Sequence, residues 1–293
     1  MKIEYNVVLG CPRSGTTFLM SVLKALPNSE CVSGRLFLVA IPHIINNNLP
    51  ADIYKSIAWA FEDSLQNYRD SGIPNSRLAA LQKWLQGCMS IQELGQALQH
   101  KRVVERIVYK EPFLSFAPEF TYNALPNCRI VHIYRDGRDC ANSLVRSYNI
   151  LTDEKLRDLR TSEMPLGRKY DQLYVPWWVE KGREEEFIAS PPYVRAIWMW
   201  KKMVQCCHDF FSRPDVIADG RVMLLRYEDL VNEPLKYGEA VVEHLGLKMN
   251  PRLQKRLKRA SSSSIGIHYR RDSQEIEAAE KIAKAELELY GYL

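Results

Sequence analysis

The segment Gly10-Cys11-Pro12-Arg13-Ser14-Gly15-Thr16-Thr17 carries two glycines five positions apart, followed at once by two hydroxyl side chains. Set between a strand and a helix, such a run aims successive backbone N–H groups and a helix N-terminus at one point, which makes an anion cradle. The spacing matches a nucleoside-triphosphate loop except where its lysine should stand, and there the chain has Thr16. The cation of this loop is Arg13 instead. A guanidinium there offers a two-pronged fork to a phosphate or sulfate oxygen, while a β/γ-phosphate pair loses its usual partner.

Further charged residues fall at positions suited to chemistry. Lys110 ends the apolar run RIVYK and opens KEPF, and α/β sheets hold ligands at such carboxyl ends of strands. Between Arg252 and Arg271 stand seven Lys/Arg and no Asp or Glu, beside the turn SSSSIG. That is a basic surface or a solvated helix face, with Arg270 and Arg271 beyond the glycine better placed for an anion. His132 lies inside an apolar run and reads as a packed core histidine. Asp136 and Asp139 flank Arg138 at a helix start, where capping or ion pairing is expected.

These residues need elements to hold them. The apolar runs Tyr5–Cys11, Val103–Lys110, Arg129–Tyr134 and Arg221–Tyr227 read as strands. The first, third and fourth lead into helix-like segments at Thr16–Leu26, Asp139–Tyr148 and Leu235–Leu245. Near-continuous apolar strands alternating with helices predict an α/β fold, a P-loop-type parallel sheet flanked by helices. Two stretches break the alternation: a helical insertion at 35–100, and at 151–192 a mixture of aromatic and charged residues that reads as a functional loop more than core. Long helices are expected at Tyr193–Phe211, at Pro251–Ala260, and after Asp272, with Glu275 completing a capping box. No repeat and no Gly/Ser/Pro linker interrupts the chain, so residues 1–293 read as one domain with two insertions.

Composition narrows the function classes. With 293 residues, 46% hydrophobic and 26% charged, disordered and fibrous classes are excluded. A net charge of +5 suits an anionic ligand and falls short of a dedicated nucleic-acid binder, so no nucleic-acid partner is expected. The seven scattered cysteines form no CxxC and no Cys/His cluster, which disfavours zinc and a secreted disulfide framework; no metal is expected. No stretch reaches the roughly 18 apolar residues of a transmembrane helix. The apolar run VVLG begins at residue 7, followed at once by the glycine-containing turn, and leaves no room for a signal sequence, so a cytoplasmic, reducing setting is the expectation.

PRSGTTFL after a buried strand resembles the 5′-phosphosulfate loop of sulfotransferases, enzymes that take a sulfuryl group from 3′-phosphoadenosine 5′-phosphosulfate (PAPS) and release adenosine 3′,5′-bisphosphate. RIVHIYRDGRDCANS is similar to that family's 3′-phosphate segment, which implies Arg135 and Ser143 as 3′-phosphate ligands. LLRYEDLVNEP with HLGL resembles a late strand and helix of the family, and SSIGIHYRRD its closing loop, which implies cofactor contacts from Gly266, Arg270 and Arg271. The resemblance further implies donor contacts from Arg13, Ser14, Gly15, Thr16 and Thr17, with Arg13 clamping the leaving group. KEPF is similar to the KDPF of tyrosylprotein sulfotransferases, which implies a catalytic Lys110. No relative's base has a direct counterpart: where cytosolic members carry histidine the chain has Pro112, and where tyrosylprotein members carry glutamate it has Ser33-Gly34. By neighbourhood Glu111, His43 and Glu30 are the candidates.

Displacement at a tetrahedral sulfur needs positioned cations and no obligatory metal. With the sheet edge given over to the donor, the insertions are left to build the acceptor pocket. Their aromatic residues, above all Phe37, Tyr174, Trp177 and Trp178, suggest a hydrophobic small-molecule or lipid hydroxyl as acceptor. Trp177 and Trp178 cannot both face a core if their segment is extended. Two other readings stay open: a P-loop kinase or nucleotide hydrolase, and a noncatalytic nucleotide-binding member of the same fold.

Overall fold

The structure is a computed structural model that describes residues 3–34, 44, 49–125, 127–158 and 167–293. Phe37 and His43 lie outside the described residues. Five parallel strands form the central sheet in the order β2-β3-β1-β4-β7: β1 (Glu4–Leu9), β2 (Ser29–Ser33), β3 (Arg106–Lys110), β4 (Arg129–Tyr134) and β7 (Val222–Arg226). Side chains alternate across each strand. One face presents Val7, Leu9, Ile107, Tyr109 and Ile130 to the Pro192–Phe211 helix. The other presents Val8, Val108, Val131 and Ile133 to Leu19 and Leu23 of the Thr16–Leu23 helix and to Val241 and Leu253. Burial on both faces is why these strands read as continuous apolar runs.

β2 has no such run. Its sequence SECVS turns a carboxylate inward: Glu30 is 1% exposed and bonds the side chains of Arg102 and Lys83. A candidate for proton transfer in the sequence, Glu30 is here the counter-ion that ties the helical insertion to the sheet edge. That insertion contains the helices Ala51–Asp70, Arg77–Leu85 and Ile91–Leu98, and Phe61 of the first packs on Tyr109 with ring centroids 5.2 Å apart. Of the basic run after Arg252, Arg256 also faces inward, donating to the carbonyls of Ser21 at 2.6 Å and Gln86 at 2.7 Å.

The second insertion folds as a hairpin of β5 (Gly167–Tyr170) and β6 (Leu173–Pro176) followed by the Glu184–Ala189 helix. It supplies core as well as loop, since Val175, Trp178, Val179 and Phe187 are buried against the Pro192–Phe211 helix. At the C-terminus Asp272 caps the Ser273–Leu289 helix, accepting from the amides of Gln274 and Glu275. The expected box is one-sided, because the Glu275 carboxylate goes to Arg271 Nε at 2.8 Å. Among the described residues no helix is long and apolar enough to cross a membrane, and all seven cysteines are free.

His132 sits in β4 at 1% exposure, its ring centroid 5.5 Å from that of Phe211, and burial pushes its pKa down to about 4 from 6.5. The unfolded chain therefore takes up a proton here that the folded chain refuses. The stability held by this neutral imidazole is complete above pH 6.5 and is lost as pH falls towards about 4. One such group sets a slope of at most about 1.4 kcal/mol per pH unit. Denaturant unfolding at pH 7, 6 and 5 should show this loss, and His132→Leu should flatten it by up to one proton.

Candidate functional site

Successive connections leave β1 towards β2 and β3 on one side, then pass to β4 and β7 on the other, so the strand order reverses at β1. Crevices at the carboxyl ends of strands beside such a reversal are where α/β sheets bind ligands. The loop after β1 fits its place closely. Gly10 has φ 147° and a Cβ on it would overlap the Ile133 carbonyl of β4; its N–H donates to Ser115 Oγ at 2.8 Å. Gly15 has φ 101°, and its missing Cβ leaves room for the Tyr227 ring. Only glycine combines that backbone with that contact. Arg13 takes φ 74° without being glycine, a strained conformation of the kind that gathers at binding loops.

A cavity of about 350 Å³ opens over this loop, lined by Arg13, Gly15, Thr16, Thr17 and Phe18, by Lys110, Arg135 and Ser143, and by Tyr148, Tyr227 and Ser264. Ser14 is fully buried and is not among the residues that line the cavity. Lys110 Nζ donates to Thr17 Oγ1 at 3.2 Å. Burial pulls the Lys110 ammonium below the usual lysine range, partly offset by Glu111 and Tyr148 beside it. The Arg13 guanidinium crosses the cavity, giving Nε to Ser143 Oγ at 2.9 Å and Nη1 to the Tyr148 hydroxyl at 3.4 Å. Two expected anion ligands, Arg13 and Ser143, thus bond each other, and an anion entering between them has to part them.

Arg135 is 4% exposed, lies over the Tyr227 ring at 4.6 Å, and donates to the Arg13 carbonyl at 3.2 Å and to the Ser264 carbonyl. Its Nε is buried and has no partner among the described residues. Beside the loose Asp139 contact at 3.4 Å, this leaves the guanidinium with one buried N–H unsatisfied. Gly266 reaches the neighbourhood, but its N–H is taken by Asp139 at 2.8 Å. Arg270 and Arg271 line a separate depression with Asn142 and Arg146; Arg271 Nη1 donates to Asn142 Oδ1 at 2.9 Å. They are brought near the loop without entering the cavity.

A second cavity, of about 470 Å³, meets the first at Pro12, Lys110, Pro112 and Tyr148. Its other walls are Phe113, Leu144, Ile150 and Met199, with Ser33, Gly34 and Glu111. Glu111 is 4% exposed and accepts from the Phe113 N–H at 3.1 Å. The tryptophans lie elsewhere. Trp177 and Trp178 pack on Phe116, with centroids at 4.8 and 6.5 Å, because the chain turns directly after Pro176 instead of running extended. Tyr174 faces Lys169 across the hairpin. None of the three lines either cavity. Tyr148, Tyr227 and Ser264 were not singled out in the sequence. Tyr227 follows a strand whose end is a ligand position, which was the available signal; Tyr148 ends a helix with no such mark.

The model of the Sulfotransferase family matches residues 7–251. The chain belongs to the sulfotransferase family. The human carbohydrate sulfotransferase 2 is 27% identical over 130 residues, covering 43% of this chain and 24% of that protein, and the mouse protein gives the same figures. The match thus spans about a quarter of the length of these curated relatives. Among solved structures, the sulfotransferase domain from the curacin biosynthetic pathway superposes over 100% of this chain and 99% of its own, with TM-score 0.51 and 16% identity, which is a likeness of fold. The parallel α/β sheet of this family member is the one that its motifs implied.

Proposed function

We propose that this sulfotransferase uses PAPS as donor and passes its sulfuryl group to a hydroxyl of an apolar small molecule or lipid. The observation that carries the reading is the meeting of two unlike cavities at Lys110, one lined by Arg13, Arg135 and backbone amides, the other by Phe113, Leu144, Ile150 and Met199. The donor, when bound, supplies an activated sulfuryl group with adenosine 3′,5′-bisphosphate as its leaving group.

The chain's own groups divide the remaining work. Arg135, with its idle Nε, and Ser143 suit a 3′-phosphate; Gly15, Thr16 and Thr17 at the helix start suit a 5′-phosphate. Arg13 and Lys110 stabilise negative charge that builds on the leaving oxygen as the sulfur–oxygen bond breaks. Glu111, beside Lys110 on the apolar side, is assigned the proton of the acceptor hydroxyl as the new bond forms. Arg270 and Arg271 add a basic surface beside the donor site from the closing loop. The carbohydrate named in the human and mouse relatives makes a sugar hydroxyl the competing acceptor.

The donor half of this reading is tested by melting. Adenosine 3′,5′-bisphosphate at one hundred times its dissociation constant should stabilise the protein by about 2.7 kcal/mol. ATP with Mg²⁺ at the same concentration should do far less, because Thr16 replaces the lysine that holds a β/γ-phosphate pair. Equal stabilisation by ATP with Mg²⁺ would point to the kinase reading instead.

A further inference from the structure

Asp139 stands in the first turn of the Gly137–Tyr148 helix at 1% exposure, and its two oxygens serve two different masters. Oδ1 accepts from His268 twice, from its backbone N–H at 3.1 Å and from ring Nδ1 at 2.7 Å. Oδ2 accepts from the Gly266 N–H at 2.8 Å and from Arg135 Nη2 at 3.4 Å. Burial alone would raise this carboxyl, but the His268 ring and amide, Arg135 and the Gly266 amide together hold it below the usual range. It is an anion beside the cation that the donor site needs.

That proximity is a hazard as well as a support. A carboxylate free to turn both oxygens onto Arg135 would form a bidentate pair and compete with an incoming phosphate for the same fork. The observed contact is single and long, and Arg135 Nε keeps no protein partner among the described residues. Asp139 is kept from turning by the Gly266 N–H on Oδ2 and by the amide and ring of His268 on Oδ1, and His268 is itself 1% exposed. An Nδ1–H donor fits the contact to Asp139, and Nε2, buried without a partner among the described residues, is then the bare nitrogen.

We propose that His268 is a positioning residue for the donor's 3′-phosphate: by occupying Oδ1 of Asp139 it limits that carboxylate to one loose contact with Arg135 Nη2 and keeps it off Nε. The proposal rests on the reading of Arg135 as the 3′-phosphate ligand. His268 touches no part of the donor cavity's lining in this scheme and acts only through Asp139.

The test compares two probes, adenosine 3′,5′-bisphosphate and AMP, which differ only in the 3′-phosphate, by calorimetric titration of the full chain. The wild type should prefer the bisphosphate. His268→Leu should lose about tenfold in bisphosphate affinity, the scale of one hydrogen bond to a charged group, and keep its AMP affinity within about twofold. His268→Asn, which returns a donor near the Nδ1 position, should recover most of the loss. Undiminished bisphosphate affinity in His268→Leu overturns the proposal while leaving the donor reading intact. So does an equal fall for both probes, or a failure of His268→Asn to recover, since either marks a merely structural residue. A wild type that does not distinguish the probes overturns the 3′-phosphate reading and this proposal with it.

Discussion

Lys110→Ala should lower kcat by about a hundredfold to a thousandfold at saturating donor, the scale of removing one preorganised group that stabilises transition-state charge. The expectation follows from position. Lys110 is at the carboxyl end of β3, bonds Thr17 of the loop and helix after β1, and belongs to the walls of both cavities. Affinity for adenosine 3′,5′-bisphosphate should fall much less, because Arg13 and the loop amides remain. Single-turnover rates with saturating PAPS separate the two effects. A rate that recovers at high donor concentration would reassign Lys110 to binding alone. Because burial already pulls the ammonium below the usual lysine range, activity should also decline at a lower alkaline pH than an exposed lysine would set.

Arg135→Ala should act in the opposite sense, on affinity more than on rate. The guanidinium is buried, rests on Tyr227, and holds the Arg13 and Ser264 carbonyls. A charge-assisted bond is worth about 1.5–3 kcal/mol, so bisphosphate affinity should drop roughly tenfold to a hundredfold. AMP should be nearly indifferent to the change. Titration of both nucleotides measures this directly, and a loss shared equally between them would mean that Arg135 serves the loop's structure and not a 3′-phosphate.

The parts of the site that were legible in the sequence are those where backbone geometry restricts the residue. Gly10 and Gly15 cannot carry a Cβ against Ile133 and Tyr227, so their spacing survives as a readable pattern. The buried strands β1, β3 and β4 were legible because both faces are apolar. β2 was not, since an edge strand of SECVS buries its glutamate through an ion pair that forms only once the helical insertion brings Arg102 and Lys83 to it.

The placement of the insertion's aromatic residues was not legible for a related reason. Aromatic content in an insertion measures how much surface must be covered, and Trp177 and Trp178 cover Phe116. The apolar walls of the second cavity come from Phe113, Leu144, Ile150 and Met199, which meet only in the fold. Tyr148, at the seam of the two cavities, is of the same kind. Its importance lies in what the Gly137–Tyr148 helix places beside Arg13, at a distance in sequence that no local motif spans.

Transfer of label from sulfur-labelled PAPS to paired acceptors tests the central claim most directly. Apolar alcohols, phenols and lipids would be set against free sugars, each with the wild type and with Lys110→Ala. The expected result is labelled product from the apolar hydroxyls, dependent on Lys110. Label passing only to sugars, or no transfer from PAPS alongside phosphate transfer from ATP with Mg²⁺, would contradict it.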